Sequence, residues 1–379
     1  MSLFFITFFI LYGLIHLYAF LKAKAALSLN AQQSILIVLF MAVLTFSPAI
    51  IRYLERFGLE FFARAMSYIG YLWMGVLILF FALAVCIDIY RLVIYLGNFL
   101  ISRDISALYP SVKISFILSL LFALTAAGYG FFEAQDIRLE HITVKTSRIP
   151  KEISRFRIVQ ISDVHLGLIV RERRLKKIIA RVREANPDLL VSTGDLVDGQ
   201  INNLEGLAEI LQSIEPRYGK FAITGNHEYY AGLHQSLDFI KKAGFTILRG
   251  QSVDVSGIVT LAGVDDPTGR QFSSATGNTE QEVLSGPDRE NFTILLKHRP
   301  LIDKNSYGLF DLQLSGHTHK GQIFPFNLVT KLYYPKHAGY LGLPNNAHLY
   351  ISRGSGTWGP PIRFLSPPEV TVIDLVREE

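Results

Sequence analysis

The order of apolar and polar positions divides the chain into two parts. In the first third, four apolar stretches contain no Asp, Glu, Lys or Arg and approach the roughly 20 residues that a helix needs to cross a bilayer. The second stretch is the shortest and ends near Pro48. The pattern therefore predicts a transmembrane domain over residues 1–133 with about four helices, at residues 3–21, 35–51, 65–87 and 114–132.

Few polar side chains accompany these apolar stretches. His16 stands alone on an apolar helix, where a packed or interfacial role is expected. Asp88 and Arg91 lie three residues apart at the end of the third stretch, a spacing that lets them pair on one helix face. No predicted span carries a central charge of the kind that marks an ion path, so a transporter is disfavoured.

The orientation in the membrane is not decided by the basic residues, because both sides of the predicted spans carry similar numbers of them. We expect an integral, multi-pass protein of the cell membrane, with the side of its soluble domain left open. The basic residues are Arg52, Arg56 and Arg64 on one side, and Lys22, Lys24, Arg91, Arg103 and Lys113 on the other.

After residue 132, charged residues become frequent and apolar runs shorten to the length of strands. Residues 156–161 and 188–192 have the pattern of buried strands, and residues 171–185 between them have apolar positions at helical spacing. Alternating strands and helices predict an α/β domain, here over residues 134–379. In such folds, ligand-binding groups collect beyond the carboxyl ends of the strands.

Composition agrees with this division and excludes two classes of protein. Only 18% of the residues are charged, below the average of about 25%, because the apolar first third lowers the fraction. The net charge is +5, but no dense run of Lys and Arg with interleaved aromatic residues is present, so no nucleic-acid partner is expected. Cys86 is the only cysteine, which excludes an intramolecular disulfide framework.

Short polar motifs follow the strand-like runs of the second part, and half of the ten histidines lie in them. Carboxylates, imidazoles and one amide at neighbouring strand ends are the ligand set of a first-row metal site. The first three motifs are about 30 residues apart, the length of a βαβ unit, which would place them side by side. The motifs are D-V-H at 163–165, G-D-L-V-D at 194–198, G-N-H-E at 225–228, K-H at 297–298 and G-H-T-H at 316–319.

In this order and spacing, the five motifs resemble the calcineurin-like metallophosphoesterase family over residues 138–379. The tail after residue 352 also resembles the end of the bacterial, membrane-associated phosphodiesterase branch. The resemblance implies an α/β fold in which a β-sandwich is flanked by helices, placed after the transmembrane helices.

The resemblance also implies a dinuclear metal centre bridged by Asp195. Two divalent ions are expected, with manganese favoured and iron or zinc as alternatives, because mixed His, Asp and Asn ligands suit all three. A hydroxide held by the pair would attack the phosphorus in line. The implied ligands are Asp163, His165, Asp195 and His319 for one metal, and Asp195, Asn226, His298 and His317 for the other.

His227 matches the histidine of the family that is not a ligand and that protonates the leaving oxygen or stabilises charge on the phosphoryl group. Asp198 and Glu228 are implied to orient His227 or the ligands. We treat these three residues as the catalytic candidates beside the metal ligands.

Two basic residues are candidate substrate contacts. Arg353 is predicted to bind phosphate through its planar guanidinium, with an ion pair as the alternative. Lys320 stands where the family branch often has glycine, and its ammonium is predicted to add a phosphate contact or to narrow the pocket. Asp265 and Asp266 either form a turn or support the site, and Tyr230 either lines the pocket or packs.

The sequence therefore predicts a membrane-anchored hydrolase that cleaves a phosphodiester or pyrophosphate bond. The anchor alone suggests a substrate that is lipid-associated or a nucleotide-sugar, with membrane lipids as further partners. The alternatives are a phosphomonoesterase acting on proteins or small molecules, and a non-catalytic membrane scaffold that retains the fold. The complete set of implied ligands disfavours the scaffold.

Overall fold

The computed structural model describes residues 3–101, 105–199, 204, 206–286 and 290–378. The chain divides into two compact units. The helical unit comprises Met1–Phe132 and Gly359–Phe364, and the α/β unit comprises Glu133–Trp358 and Leu365–Glu379. The sequence patterns did not predict that a short segment near the C-terminus belongs to the helical unit.

The α-helices of the helical unit are α1 Leu3–Leu27, α2 Ala31–Thr45, α3 Ser47–Arg56, α4 Glu60–Ile101 and α5 Val112–Glu133. Helices α1, α4 and α5 are long and apolar enough to cross a membrane. Helices α2 and α3 pass the same test only as a pair bent by 53°, so the described residues contain three candidate spans, or four if the bent pair is one span.

The second predicted span, residues 35–51, is thus broken rather than continuous. The break lies at Phe46, between α2 and α3, and Pro48 follows within the first turn of α3. Proline has no N–H to donate to the preceding turn, so a helix cannot continue through it undistorted. The hydroxyl of Ser47 instead donates to the carbonyl of Leu44, at 2.8 Å.

Contacts between helices decide the polar pairs of the helical unit. Lys22 of α1 forms an ion pair with Asp88 of α4, and the hydroxyl of Tyr18 donates to the same carboxylate at 2.7 Å. Arg91 instead lies over the ring of Tyr109, 4.6 Å from its centroid. The predicted pairing of Asp88 with Arg91 is therefore wrong, because Lys22 and Tyr18 of the neighbouring helix α1 bind both oxygen atoms of the Asp88 carboxylate.

The segment Gly359–Phe364 packs closely against helices of its own unit. The N–H of Arg363 donates to the carbonyl of Gly130 at 2.9 Å. A Cβ on Gly75 would lie 2.6 Å from Cδ1 of Ile362, so the absence of a side chain there gives the segment its room. The ring of Phe364 meets those of Phe122 and Tyr129 at centroid distances of 6.2 and 6.1 Å.

The described residues of the α/β unit form two six-stranded sheets. The strands are β1 Arg138–Thr146, β2 Arg155–Ile161, β3 Leu189–Ser192, β4 Lys220–Ala222, β5 Thr246–Ile247, β6 Gln251–Val255, β7 Val259–Gly263, β8 Phe292–Leu296, β9 Leu312–Ser315, β10 Gly339–Gly342, β11 His348–Ile351 and β12 Glu369–Arg377. Their orders in the sheets are β1-β12-β2-β3-β4-β5 and β10-β11-β9-β8-β7-β6.

One buried core fills the space between the two sheets. It contains Ile158 and Val191 of the first sheet together with Leu261 and Ile294 of the second. A second core covers the other face of the first sheet with helices α6, α7 and α9. The helices of this unit are α6 Glu172–Ala185, α7 Leu207–Gln212, α8 Asn226–Ala231, α9 Leu233–Lys242, α10 Thr268–Gln271, α11 Glu280–Ser285 and α12 Phe326–Tyr333. The expected β-sandwich flanked by helices is confirmed.

The parallel strands of both sheets end where the polar motifs begin. β2, β3 and β4 are parallel neighbours in the first sheet, and β8 and β9 are parallel neighbours in the second. Parallel neighbours have their carboxyl ends at the same edge of a sheet. The five motifs therefore start from strand ends that lie together in each sheet.

Candidate metal centre

Most of the predicted metal ligands have a left-handed backbone, which is uncommon for residues other than glycine. Such conformations cost of order 1 kcal/mol or more each and persist where the surrounding structure holds them, often at functional sites. The chain therefore turns sharply at ligands that follow β2, β3 and β9, whereas Asn226 after β4 and His298 after β8 have no positive φ angle. The residues and their φ angles are Asp163 50°, His165 54°, Asp195 53°, His317 70° and His319 48°.

The glycines of two motifs make room for carboxylates. A Cβ on Gly225 would lie 2.2 Å from Oδ1 of Asp195, and a Cβ on Gly316 would lie 2.2 Å from Oδ2 of Asp163. Neither glycine has a positive φ angle. These two glycines therefore permit a close approach through their missing side chains, whereas Gly194, with a φ of 93°, supplies a left-handed turn before Asp195.

One group of ligand atoms comes from Asp163, His165 and His319, which are all buried. Nε2 of His165 lies 3.0 Å from Nε2 of His319, which in turn lies 3.4 Å from Oδ1 of Asp163. The carboxylate of Asp163 is oriented by the hydroxyl of Ser162, at 2.5 Å, and by the backbone N–H of His317, at 3.0 Å. These donors hold the oxygen atoms in place for a cation.

A second group comes from Asp195, His298 and His317, with Asn226 beside it. Nε2 of His298 lies 3.2 Å from Oδ2 of Asp195, 3.1 Å from Nδ1 of His317 and 3.3 Å from Oδ1 of Asn226. Nδ1 of His298 donates to the carbonyl of Thr193 at 2.8 Å. Because a carbonyl only accepts, this bond places the proton on Nδ1 and leaves the Nε2 lone pair for a metal.

Asp195 lies between the two groups. Its Oδ2 is 3.2 Å from Nε2 of His298 and 3.8 Å from Nε2 of His165. Its Oδ1 accepts a hydrogen bond from the backbone N–H of His227 at 2.9 Å. One carboxylate oxygen thus faces both groups, which is the position that a bridging ligand requires.

The electrostatics of these side chains fit bound cations. Burial lowers the pKa of His165 to about 4 and that of His317 to about 3, so both imidazoles are neutral and carry a lone pair. Burial also opposes a charge on His298, but the carboxylate of Asp195 outweighs it and raises the pKa of His298 to about 10, so a positive charge on its Nε2, from a proton or from a metal in its place, is stabilised there. The site therefore favours positive charge beside Asp195, and its nitrogen and oxygen donors suit manganese, iron or zinc.

His227 and Asp198 form a pair at the edge of this cluster. Nδ1 of His227 donates to Oδ1 of Asp198 at 2.8 Å, and the imidazole lies edge-on to the ring of His165 at 4.6 Å. Burial lowers the pKa of His227, but the carboxylates of Asp195 and Asp198 outweigh it and raise it to about 9. The geometry also groups His227 with His165 and Asp195 as possible metal ligands, so a ligand role is the alternative to proton transfer.

Glu228 acts on the backbone of the metal-ligand turns. Its Oε1 accepts the N–H groups of Leu196 and Val197, at 2.8 and 3.3 Å, and its Oε2 accepts those of Asp195 and Gly225, at 3.0 and 2.7 Å. The side chain is fully buried. Glu228 therefore ties the turn after β3 to the turn after β4, and its carboxylate positions Asp195 through the backbone.

We expect Glu228→Gln to lower the free energy of unfolding by about 2 to 4 kcal/mol, because the new NH2 group faces two buried N–H donors and satisfies neither. Chemical unfolding of the detergent-solubilised protein would measure the change. Glu282→Gln is the matched control, since Glu282 accepts the N–H of Thr279 at an exposed helix start and should lose no more than about 1 kcal/mol. Equal stability of the two variants would contradict the assigned role of Glu228.

The two candidate substrate contacts lie in different surroundings. The guanidinium of Arg353 forms ion pairs with Glu140 and with the buried carboxylate of Glu369, so the ion-pair alternative is present and a phosphate would have to compete with two carboxylates. Lys320 follows His319 directly, in a short 3-10 turn with a left-handed backbone. Whether either residue binds phosphate stays a prediction.

Three further histidines of the α/β unit lie outside the groups of possible metal ligands among the described residues. His234 has an exposed side chain and pairs with Asp238 at 3.1 Å. His348 stacks on the ring of Tyr340 at 5.1 Å. The backbone carbonyl of His337 accepts a hydrogen bond from the hydroxyl of Thr318 at 2.6 Å.

Several further groups surround the cluster; Asp265, Asp266 and Tyr230 among them were named from the sequence, whereas Arg249, Arg299, Tyr334 and Trp358 were missed. Arg299 makes a bidentate pair with Asp266, at 2.8 and 3.0 Å, and Asp265 makes another with Arg249. The two aspartates thus support arginines rather than only forming a turn. The rings of Trp358 and Tyr230 lie 5.9 and 5.6 Å from that of His227, and the ring of Tyr334 lies 5.3 Å from that of His317. The position of Arg299 directly after His298 was the one available signal.

Comparisons with known proteins agree with this arrangement. The family described as calcineurin-like phosphoesterase matches residues 156–321, which include every predicted metal ligand. An uncharacterized metallophosphoesterase of Aquifex aeolicus is 41% identical over 254 residues, covering 67% of this chain and 97% of the relative. A transmembrane protein with metallophosphoesterase domain of Danio rerio is 32% identical, covering 73% of this chain and 67% of the relative.

Among solved structures, the crystal structure of a 5'-nucleotidase precursor from Thermus thermophilus superposes with a TM-score of 0.34 and 19% identity. The superposition covers 59% of this chain and 54% of that chain. The relative from Danio rerio and the apolar helices of the helical unit indicate association with a membrane. The chain belongs to the calcineurin-like metallophosphoesterase family, whose members are phosphoester hydrolases with a dinuclear centre of divalent metals.

Proposed function

We propose that the protein is a multi-pass membrane hydrolase that cleaves a phosphodiester or pyrophosphate bond in a lipid-associated or nucleotide-sugar substrate. The observation that carries the proposal is the sharing of Oδ2 of Asp195 by two groups of ligand atoms, with the His227–Asp198 pair beside them. Two divalent cations bound there, manganese by preference, would activate water and stabilise charge on the phosphoryl oxygens.

In this proposal, His227 supplies the proton that the leaving oxygen needs. The bond to Asp198 keeps a proton on Nδ1 and stabilises the imidazolium, so Nε2 is the nitrogen that faces the reaction. General acid catalysis of this kind accelerates a reaction by about 10² to 10⁴-fold. Glu228 holds the backbone of Asp195 in the geometry that the ligands require.

Two features favour a diester over a monoester. Arg299 and Arg353 are both paired with carboxylates, so they offer little net positive charge to a substrate. This suits a diester, which carries one negative charge, better than a monoester, which carries nearly two. The rings of Tyr230 and Trp358, each about half exposed, lie beside His227 and provide an apolar surface for a second ester group. A phosphomonoesterase and a scaffold remain the alternatives, and the complete ligand set counts against the scaffold.

The substrate class rests on the candidate membrane spans. Three helices of the described residues, or four with the bent pair, are long and apolar enough to hold the protein in a bilayer. An enzyme anchored in this way meets lipid-bound phosphoesters at a high local concentration. This supports a lipid-associated substrate without identifying its headgroup.

Hydrolysis of bis-p-nitrophenyl phosphate, beside p-nitrophenyl phosphate, by the full-length protein in detergent tests the proposal. We expect chelation to abolish turnover, manganese to restore it, and the diester to be cleaved at least about tenfold faster than the monoester. Preference for the monoester would replace the diesterase by a phosphatase. Bound metal without turnover of either compound, across manganese, iron and zinc, would favour the scaffold.

A further inference from the structure

Exposed apolar side chains of the α/β unit are concentrated beside the candidate metal centre. Among its described residues, twelve large hydrophobic side chains are exposed, and half of them lie within residues 324–333. This stretch contains α12, Phe326–Tyr333, and no residue of that helix is buried against the described part of the chain. The six residues are Phe324, Phe326, Leu328, Val329, Leu332 and Tyr333.

The apolar residues of α12 share one face of the helix. Leu328, Val329, Leu332 and Tyr333 are spaced one, three and four residues apart, the spacing of a helical stripe. Leu332 is 80% exposed and Tyr333 is 77% exposed. A helix of a globular protein normally buries such a stripe, and a contiguous exposed apolar patch marks a binding surface.

The helix is fixed to the loop that carries two predicted ligands. A Cβ on Gly321 would lie 2.3 Å from Cα of Asn327, so the turn after His319 and the start of α12 are in close contact. Beyond the other end of α12, the carbonyl of His337 accepts a hydrogen bond from Thr318. Whatever binds the apolar face of α12 is therefore held at the edge of the metal centre.

The charged residues of the segment that carries this face are basic. Between Asp311 and Glu369 the sequence has no acidic residue. Lys331 and Lys336, in and just after α12, have exposed side chains. Basic residues beside an exposed apolar stripe match the surface of a bilayer that contains anionic lipids, to which each Lys near the surface adds attraction.

The chain itself connects this region to the part of the protein that carries the candidate membrane spans. Trp358 and Leu365, each about half exposed, flank the segment Gly359–Phe364, which belongs to the helical unit. A bilayer that holds the candidate spans would therefore be tethered to this region by the chain itself. A second copy of the chain would have to be brought there by association.

We propose that α12 is an interfacial helix whose apolar face lies in the headgroup region of the bilayer, with Lys331 and Lys336 against anionic headgroups. Docking in this way places the mouth of the metal centre at the lipid surface. The consequence, that the substrate phosphoester is presented by the bilayer, rests on the proposed hydrolase function. The docking of α12 to the bilayer does not depend on that function.

The test uses full-length protein with Cys86→Ser and one new cysteine, Leu332→Cys, labelled with an environment-sensitive fluorophore. The matched control is His234→Cys, whose native side chain is 91% exposed on α9. Both proteins are reconstituted in vesicles of phosphatidylcholine and phosphatidylglycerol, with a quencher attached either to the lipid chains or, as iodide, dissolved in the water. Hydrolysis of bis-p-nitrophenyl phosphate is recorded for each.

We expect the lipid-borne quencher to reduce emission at position 332 at least about twofold more than at position 234. Dissolved iodide should reduce emission more at position 234 than at position 332. Equal access of iodide to both positions would overturn the proposal, because the face would then lie in water. Protection from both quenchers would overturn it in favour of a protein partner such as a second copy. Lipid quenching in protein that binds metal but does not hydrolyse bis-p-nitrophenyl phosphate would uphold the docking and contradict the phosphodiesterase.

Discussion

Replacement of Asp195 with alanine is expected to reduce hydrolysis of bis-p-nitrophenyl phosphate by more than about 1000-fold, or about 4 kcal/mol of transition-state stabilisation. Its Oδ2 is the oxygen that lies 3.2 Å from Nε2 of His298 and 3.8 Å from Nε2 of His165. Without it, both groups of ligands lose their shared carboxylate. Two metals that act on one phosphoryl group have to be held about 3.5–4 Å apart, and this carboxylate is the group placed to do so.

The fold should survive this change, because Glu228 holds the backbone N–H of residue 195 whatever its side chain. Metal content per chain and kcat/KM would be measured on the full-length protein beside Asp238→Ala. Asp238 forms an exposed pair with His234, so its loss should change neither quantity. Full metal content and normal turnover in Asp195→Ala would show that Asp195 does not bridge the centre.

Replacement of His227 with alanine is expected to keep both metals and to lower kcat by about 10² to 10⁴-fold for a diester with a poor leaving group. Nδ1 of His227 is already bonded to Asp198, which suits a proton donor held in one orientation. The loss should be smaller with a p-nitrophenolate leaving group, because that anion departs without a proton. Asp198→Asn should show the same dependence on the leaving group, with a smaller loss.

Metal content separates the two roles that the geometry allows for His227. Loss of one metal ion per chain in His227→Ala would make this residue a ligand, as its place beside His165 and Asp195 permits. Retention of both metals with an equal loss for good and poor leaving groups would exclude proton transfer as its role. His234→Ala is the control for removal of an imidazole from an exposed helix, and it should leave both measurements unchanged.

Alternating apolar runs in the sequence predicted an α/β domain, and the resemblance of the five motifs to a known family implied the β-sandwich and the candidate ligands. The pattern of apolar residues in a strand or helix depends on which of its faces is buried, and this pattern can be read from residues that are neighbours in the sequence. The motifs are equally local, since Asp163 and His165, or His317 and His319, are placed by a single strand end. The structure brings all seven predicted ligands together because the five strands are parallel neighbours within their sheets. Their binding of metal remains a prediction.

Tertiary structure decided the features that join residues far apart in the chain. Asp88 pairs with Lys22 of another helix rather than with Arg91, and Arg353 pairs with Glu140 and Glu369. Local spacing shows which pairs are possible, whereas packing determines which oppositely charged group comes within reach. A similar reason explains the broken second span, where the proline was visible but the direction of the bend was not.

The apolar face of α12 and the return of Gly359–Phe364 to the helical unit also emerged only from the tertiary structure. In the sequence, residues 326–333 resemble any amphipathic helix, and nothing shows that their apolar face is left uncovered. Periodicity reports that a helix has an apolar face, because periodicity is a property of one segment. What covers that face depends on every other segment, and only the folded chain contains that information.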